Sequence, residues 1–136
     1  MHLEPYLFFD GNCEEALAFY AAIFGGQIEG LMRYGATPTA GDMPPESRDK
    51  VMHASFKSPT LAFMASDGNR ANECTGSRVA LSLSSKDVEE GKRMFDALSA
   101  GGTIGMPYGK TFWGAMFGTF TDRYGIDWMI NCEMPA

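Results

Sequence analysis

Histidine is scarce in this chain. Only His2 and His53 occur among 136 residues, so a centre built from several imidazoles is excluded. Cysteine is scarce too. Cys13, Cys74 and Cys132 lie far apart with no C-x-x-C pair, which excludes a zinc ribbon and a dithiol redox motif. An odd number of thiols without a secretion leader fits free cysteines in a reducing compartment. No apolar run approaches the roughly 18–20 residues that a membrane span needs. The opening Met1-His2-Leu3-Glu4-Pro5 lacks the basic start and apolar stretch of a leader peptide. The expected location is therefore cytoplasmic. Positive charge is in deficit, with a formal net charge of -6, which argues against nucleic acid as a partner. Arg33, Arg48, Lys50, Lys57, Arg70 and Arg78 are interleaved with acids and read as a mixed, solvated surface. No nucleophile motif and no phosphate-cradling loop occurs. Gly114-Ala115-Met116-Phe117-Gly118 reads as strand and turn glycine.

What is present is a globular composition, 45% hydrophobic, of a length that suits one domain with a real core. Residues 12–26 predict a helix. Ala16, Leu17, Phe19, Tyr20, Ile23 and Phe24 recur at three- and four-residue intervals and make one apolar face. Asn12 stands as the expected N-cap, with Glu15 completing a capping box, and Gly25-Gly26 as the stop. Residues 86–100 predict a second helix, with Ser85 as cap, Val88, Met94, Phe95 and Leu98 as its apolar stripe, and Gly101-Gly102 as its stop. Gly91 inside it costs about 1 kcal/mol against alanine and suggests close packing on a sheet. Both helices end alike: Phe19 or Phe95, five residues, then Gly-Gly-x-Ile. Strand-like runs precede and follow each. They are Tyr6–Phe9, Gln27–Tyr34, Val51–Lys57 and Thr60–Ala65 around the first helix. Around the second they are Val79–Leu83, Thr103–Pro107, Trp113–Thr121 and Ile126–Cys132. The chain thus reads as an internal duplication, a single domain made of two modules at about 1–67 and 77–136. The fold class is α+β: two βαβββ modules forming a cupped mixed sheet, with the helices on its outer face. One helix covers only one sheet face, so the other face meets a second unit or encloses a pocket for a small ligand.

Several stretches then carry a resemblance. Pro5-Tyr6-Leu7-Phe8-Phe9-Asp10-Gly11-Asn12 is followed by Glu15-Ala16-Leu17, Phe19-Tyr20 and Phe24-Gly25-Gly26. Met43-Pro44-Pro45, Met52-His53-Ala54, Trp113-Gly114, Phe117-Gly118 and Asp122-Arg123-Tyr124-Gly125 with Trp128 come after. Over nearly its whole length the chain resembles the PhnB-like branch of the vicinal oxygen chelate (glyoxalase/bleomycin-resistance/dioxygenase) superfamily. The resemblance implies paired βαβββ modules, a homodimer, and a cup in which metal-dependent members hold a divalent ion. It also implies a choice of chemistry, since some members are metal enzymes and others only bind and sequester drugs. Sequences of this branch often carry a methyltransferase label for ubiquinone synthesis. No glycine-rich loop after a strand supports that label here.

The superfamily's metal ligands, carried over by strand phase, fall near Pro5, Ala62 or Met64, Arg78 and Met129. None suits Fe, Zn, Ni or Mg: proline and alanine offer no donor, methionine is a soft and weak one, and arginine repels cations. An improvised site would need His53 with acids such as Asp67 or Asp127. Strand alternation points His53 into the cup, away from Met52, Ala54 and Phe56. There it would serve as general base or hydrogen-bonding anchor, or simply be satisfied by a structural partner. Trp128 is expected in the core. Trp113, Tyr108 and Phe112 are candidates for a pocket wall or dimer seam, and Arg78 for an anion contact. The candidate ligand-binding set is therefore His53, Met64, Arg78, Tyr108, Trp113 and Met129, with no catalytic residue assigned. Three functions follow: a dimeric small-molecule binding protein without the usual metal and without a cofactor; a divalent-metal lyase, isomerase or dioxygenase with displaced ligands; or a dimeric structural or regulatory module. The expected partners are a small molecule and a second copy of the chain, with neither nucleic acid nor membrane.

Overall fold

The computed structural model describes residues 1–37, 41, 44–68 and 79–134. The chain forms two compact units, Met1–Thr75 and Gly76–Ala136. In the first, β1 (Tyr6–Phe9) leads into α1 (Cys13–Phe24), followed by β2 (Gln27–Arg33), β3 (Val51–Lys57) and β4 (Ala62–Asp67). The sheet order is β1-β4-β3-β2, with β1 parallel to β4 and the other pairs antiparallel. The second unit repeats this plan with β5 (Leu81–Ser85), α2 (Val88–Ser99), β6 (Thr103–Lys110), β7 (Ala115–Thr121) and β8 (Asp127–Glu133). Its order is β5-β8-β7-β6. Each unit is the βαβββ module expected from the duplicated pattern. Among the described residues no helix is long and apolar enough to cross a membrane.

Each helix buries its stripe on one sheet face. Cys13, Ala16, Leu17, Tyr20 and Phe24 of α1 are buried, as are Phe9, Ala54, Phe56, Phe63 and Ala65 of the sheet. Tyr20 meets Phe63 edge-on with ring centroids 5.9 Å apart, and Phe63 stacks on Phe56 at 5.0 Å. In the second unit Phe95 and Leu98 are buried with Phe120, Trp128, Ile130 and Cys132. Trp128 is core, as expected.

The twin Gly-Gly stops have a structural reason. Gly25 and Gly101 take positive φ, 72° and 79°, which L side chains avoid. Their followers have no room for a side chain. A Cβ at Gly26 would lie 2.7 Å from the Lys57 carbonyl oxygen, and one at Gly102 would collide with that of Thr121. Gly91 likewise lies against the Cys132 Sγ and the Tyr108 hydroxyl.

The helix starts differ from expectation. Asn12 makes no side-chain cap, and its Oδ1 is buried without a partner. The capping acceptor comes from 54 residues away: Asp67 Oδ1 accepts from Cys13 N at 2.9 Å. At α2 the N-cap is Asp87, not Ser85; it accepts from the backbone N–H of Glu89 and Glu90. Ser85 Oγ supports it by accepting from Asp87 N at 3.0 Å and donating to Glu90 at 3.1 Å. Several strand bounds also shift: β5 begins at Leu81 and not Val79, and β6 runs on past Pro107 to Lys110. β4 extends to Asp67, and β7 starts at Ala115 because Thr111–Gly114 forms a turn, with Gly114 N donating to Thr111 O.

Candidate functional site

Each module leaves one sheet face without a helix, and strand pairing fixes which residues share it. In the first module Tyr6 pairs with Met64, which pairs with Ser55, which pairs with Glu29. The next row carries Phe8 paired with Ser66, and His53 paired with Met32. Pairing partners point to the same side, so Tyr6, Phe8, Met32, His53, Ser55 and Met64 share the open face. His53, Tyr6 and Met64 are half-buried, while Met32 is 45% exposed. The Tyr6 hydroxyl reaches across to His53 Nδ1 at 3.1 Å. Its ring lies 4.9 Å from Phe8 and 5.7 Å from the imidazole. Glu29 and Lys57, the flanking charges, pair with each other at 3.6 Å. The result is a polar pair set among aromatic and thioether side chains.

Asp67 belongs to the other face. It is 2% exposed and accepts from Cys13 N at 2.9 Å and Val51 N at 2.8 Å. A metal site improvised from His53 and Asp67 is thereby excluded, because β4 alternation turns the carboxylate to the helix side. Asp127 accepts from the Thr121 hydroxyl in the second module. Cys13 is no nucleophile. Burial, with Asp67 and then Glu14 beside it, pushes its thiol up to about 12, so it stays protonated at neutral pH.

On the second module's open face, Met129 pairs with Ser82 and Thr119, and Asn131 with Ser84 and Phe117. Trp113, 51% exposed, donates from Nε1 to Asn131 Oδ1 at 3.3 Å and lies edge-on to Phe117 at 5.4 Å. Phe112 beside it is 97% exposed. A cleft of about 350 Å³ is lined by Ser84, Ser85, Lys86, Asn131 and Glu133. A smaller one of about 210 Å³ lies by Met129, Thr119 and Asp127.

Of the six candidates from sequence, His53 and Met64 share the first module's open face, and Trp113 and Met129 share that of the second. Tyr108 does not lie on an open face. Its hydroxyl donates to Val88 O at 2.9 Å and its ring packs 5.7 Å from Phe95. In β6, Gly109 is opposite Phe117 of the open face, so its neighbour Tyr108 points to the helix side. Burial first, then Cys132, holds that hydroxyl protonated well above the ordinary tyrosine range. Arg78 lies outside the described residues. Sequence reasoning missed Tyr6, Phe117 and Asn131, although Asn131 is in phase with Met129 and Tyr6 belongs to the first strand-like run.

The residues at the first and last strands of each module do not fit a hard divalent ion. Tyr6 beside Met64 and Ser82 beside Met129 offer a phenol, thioethers and a hydroxyl, not carboxylates or imidazoles. Among the described residues, no group of three or more His, Cys, Asp or Glu side chains is placed to hold a metal.

The family model described as 3-demethylubiquinone-9 3-methyltransferase matches residues 1–131. The chain belongs to that family, the PhnB-like proteins. Its PhnB-like character extends to individual relatives. Protein YjdN of Escherichia coli K12 is 37% identical over 139 residues, which cover 96% of this chain and 95% of that protein. The crystal structure of protein PA1353 from Pseudomonas aeruginosa is 41% identical, with TM-score 0.84 over 99% of both chains. A PhnB protein from Bacillus cereus is 27% identical, with TM-score 0.81 over 99% of this chain and 100% of its own. A glyoxalase/bleomycin resistance protein/dioxygenase family enzyme from Burkholderia phytofirmans shares the fold at 15% identity, TM-score 0.63, over 93% and 94% of the two chains. The PhnB-like chain thus shares its fold with a glyoxalase/bleomycin-resistance/dioxygenase family protein.

Proposed function

We propose that this chain is a small-molecule binding protein of the glyoxalase/bleomycin-resistance type. It works as a homodimer in the cytoplasm without the usual divalent centre. The observation that carries the reading is the Tyr6–His53 hydrogen bond of 3.1 Å in a half-buried setting of Phe8, Met32 and Met64. Binding sites for organic ligands are mostly apolar, with few polar groups that fix orientation. Thioether side chains adapt to ligand shape. A planar, partly apolar ligand bearing one hydrogen-bonding group matches such a surface. On the second module's own open face, Trp113 and Met129 are proposed as contacts for a small molecule, and exposed Phe112 to meet a second copy of the chain.

Methyl transfer, as in the family's description, is not the reading the geometry favours. In doubly wound folds the turn from first strand to helix is open and glycine-rich so that a nucleotide approaches the helix start. Here the first amide of α1 is taken by the Asp67 carboxylate.

Thermal-shift screening of planar aromatic acids and phenols, followed by titration of the hits, tests the proposal. Hits should bind Tyr6→Phe and His53→Ala variants about tenfold more weakly, the cost of one hydrogen bond. Hits that bind both variants as tightly as the parent chain would contradict it. So would one Zn, Ni, Mn or Fe(II) retained per chain after dialysis.

A further inference from the structure

The same donor set that fails a hard divalent ion fits a soft one. Met32 and His53 are direct cross-strand partners on the open face of the first module. Met64 pairs with Ser55, the next open-face residue along His53's strand, so it stands diagonal to His53 on the other side. Diagonal neighbours in a sheet are within reach of long side chains, and methionine has three rotatable bonds with which to reach. The imidazole is oriented as a ligand would be. A metal-bound histidine almost always gives its second ring N–H to an acceptor, and Nδ1 of His53 already faces the Tyr6 hydroxyl at 3.1 Å. In the tautomer in which Nδ1–H donates to the Tyr6 oxygen, the Nε2 lone pair is left for a metal. The flanking charges cancel, because Lys57 is paired with Glu29.

We propose that Met32, His53 and Met64 form a binding site for a soft monovalent cation, Cu(I). Two thioethers and one imidazole make a neutral, soft, low-coordinate set, and thioether ligands select Cu(I) over Zn, Mn or Mg. The inference rests on the reading of this sheet face as the binding face. It adds a cofactor class to that face, and the ion is an alternative or an adjunct to an organic ligand there.

Thiols also bind Cu(I), so the experiment uses the Cys74→Ser chain as its parent. The other two cysteines, Cys13 and Cys132, are buried. The parent is titrated anaerobically with Cu(I) against a chromophoric Cu(I) chelator, and in parallel with Zn(II). The expected result is one Cu(I) per chain, no retained Zn(II), and loss of Cu(I) in Met32→Leu/Met64→Leu. That variant keeps side-chain volume, and its unchanged circular dichroism and urea midpoint would show that it is folded. Tyr6→Phe should bind Cu(I) about tenfold more weakly, because it loses the group that orients the imidazole. No Cu(I) binding, or binding undiminished in the folded double leucine variant, would overturn the inference. If aromatic ligands still bind in a His53-dependent way after such a result, only the metal site falls and the binding-protein reading stands.

Discussion

The two modules are built on one plan and differ in which face has been kept. Strand registers align them. Met64 opposite Tyr6 corresponds to Met129 opposite Ser82. Ser55 and Thr119, their partners on the third strand, then correspond too. On the helix side most counterparts stay apolar: Phe56 and Phe63 match Phe120 and Trp128, and Ala54 and Ala65 match Gly118 and Ile130. On the open side the methionine and its small hydroxyl partner persist. Tyr6 becomes Ser82 and His53 becomes Phe117. Packing constrains volume and shape on the helix side, while the open side is released from that demand. The polar pair of the first module is therefore the more specific chemical feature of the two faces.

The helix starts diverge in the same way. Asp67 and Cys132 occupy equivalent places at the ends of β4 and β8. The first module uses its carboxylate to cap α1 and hold β3, whereas α2 is capped locally by Asp87. Removing the acceptors should separate the modules. Asp67→Ala leaves two buried amides without partners and should cost about 3 kcal/mol or more in urea unfolding. Asp87→Ala should cost only about 1 kcal/mol. Equal costs would break the comparison.

The next effect concerns Gly91, which has no glycine counterpart in α1. Glycine to alanine in a helix ordinarily stabilises by about 1 kcal/mol. Gly91→Ala should instead destabilise by roughly 1–3 kcal/mol, because the new methyl meets Cys132 and Tyr108. Cys132→Ala in the same chain should recover part of the loss. A rise in melting temperature for Gly91→Ala alone would contradict that close approach.

A further effect is alkaline. The folded chain holds the Cys13 proton up to about 12, against an ordinary value of 9.0. Between those values the unfolded state binds fewer protons, so stability is complete below about pH 9 and is lost as pH rises toward 12. Tyr108, raised by burial, adds to the loss. Urea midpoints measured across this range should fall less steeply for Cys13→Ala; identical slopes would mean the thiol is not protected.

Most of the fold was legible because its signals are local and repeated. The apolar stripes of both helices, the twin glycine stops and the alternating strands follow from residue spacing alone. The Asp67 cap was not legible, since its partner is 54 residues away and Asn12 offered the local pattern of a cap. Tyr108 was singled out only as an aromatic side chain near the last hairpin; its place against α2 follows from how β6 pairs with β7, which residue type alone does not reveal. His53 could be assigned to the open face from β3 alternation. Its Tyr6 partner could not, because only the parallel pairing of β1 with β4 brings the two together.

The most direct test labels the methionine methyl groups with carbon-13 and follows them as the tightest-binding aromatic ligand is added. Resonances are assigned by single leucine substitutions. The account predicts that Met32 and Met64 shift while Met52 and Met94, on or beside the helix-covered faces, stay in place. Shifts at Met52 or Met94 with Met64 unmoved would place binding elsewhere and contradict the account.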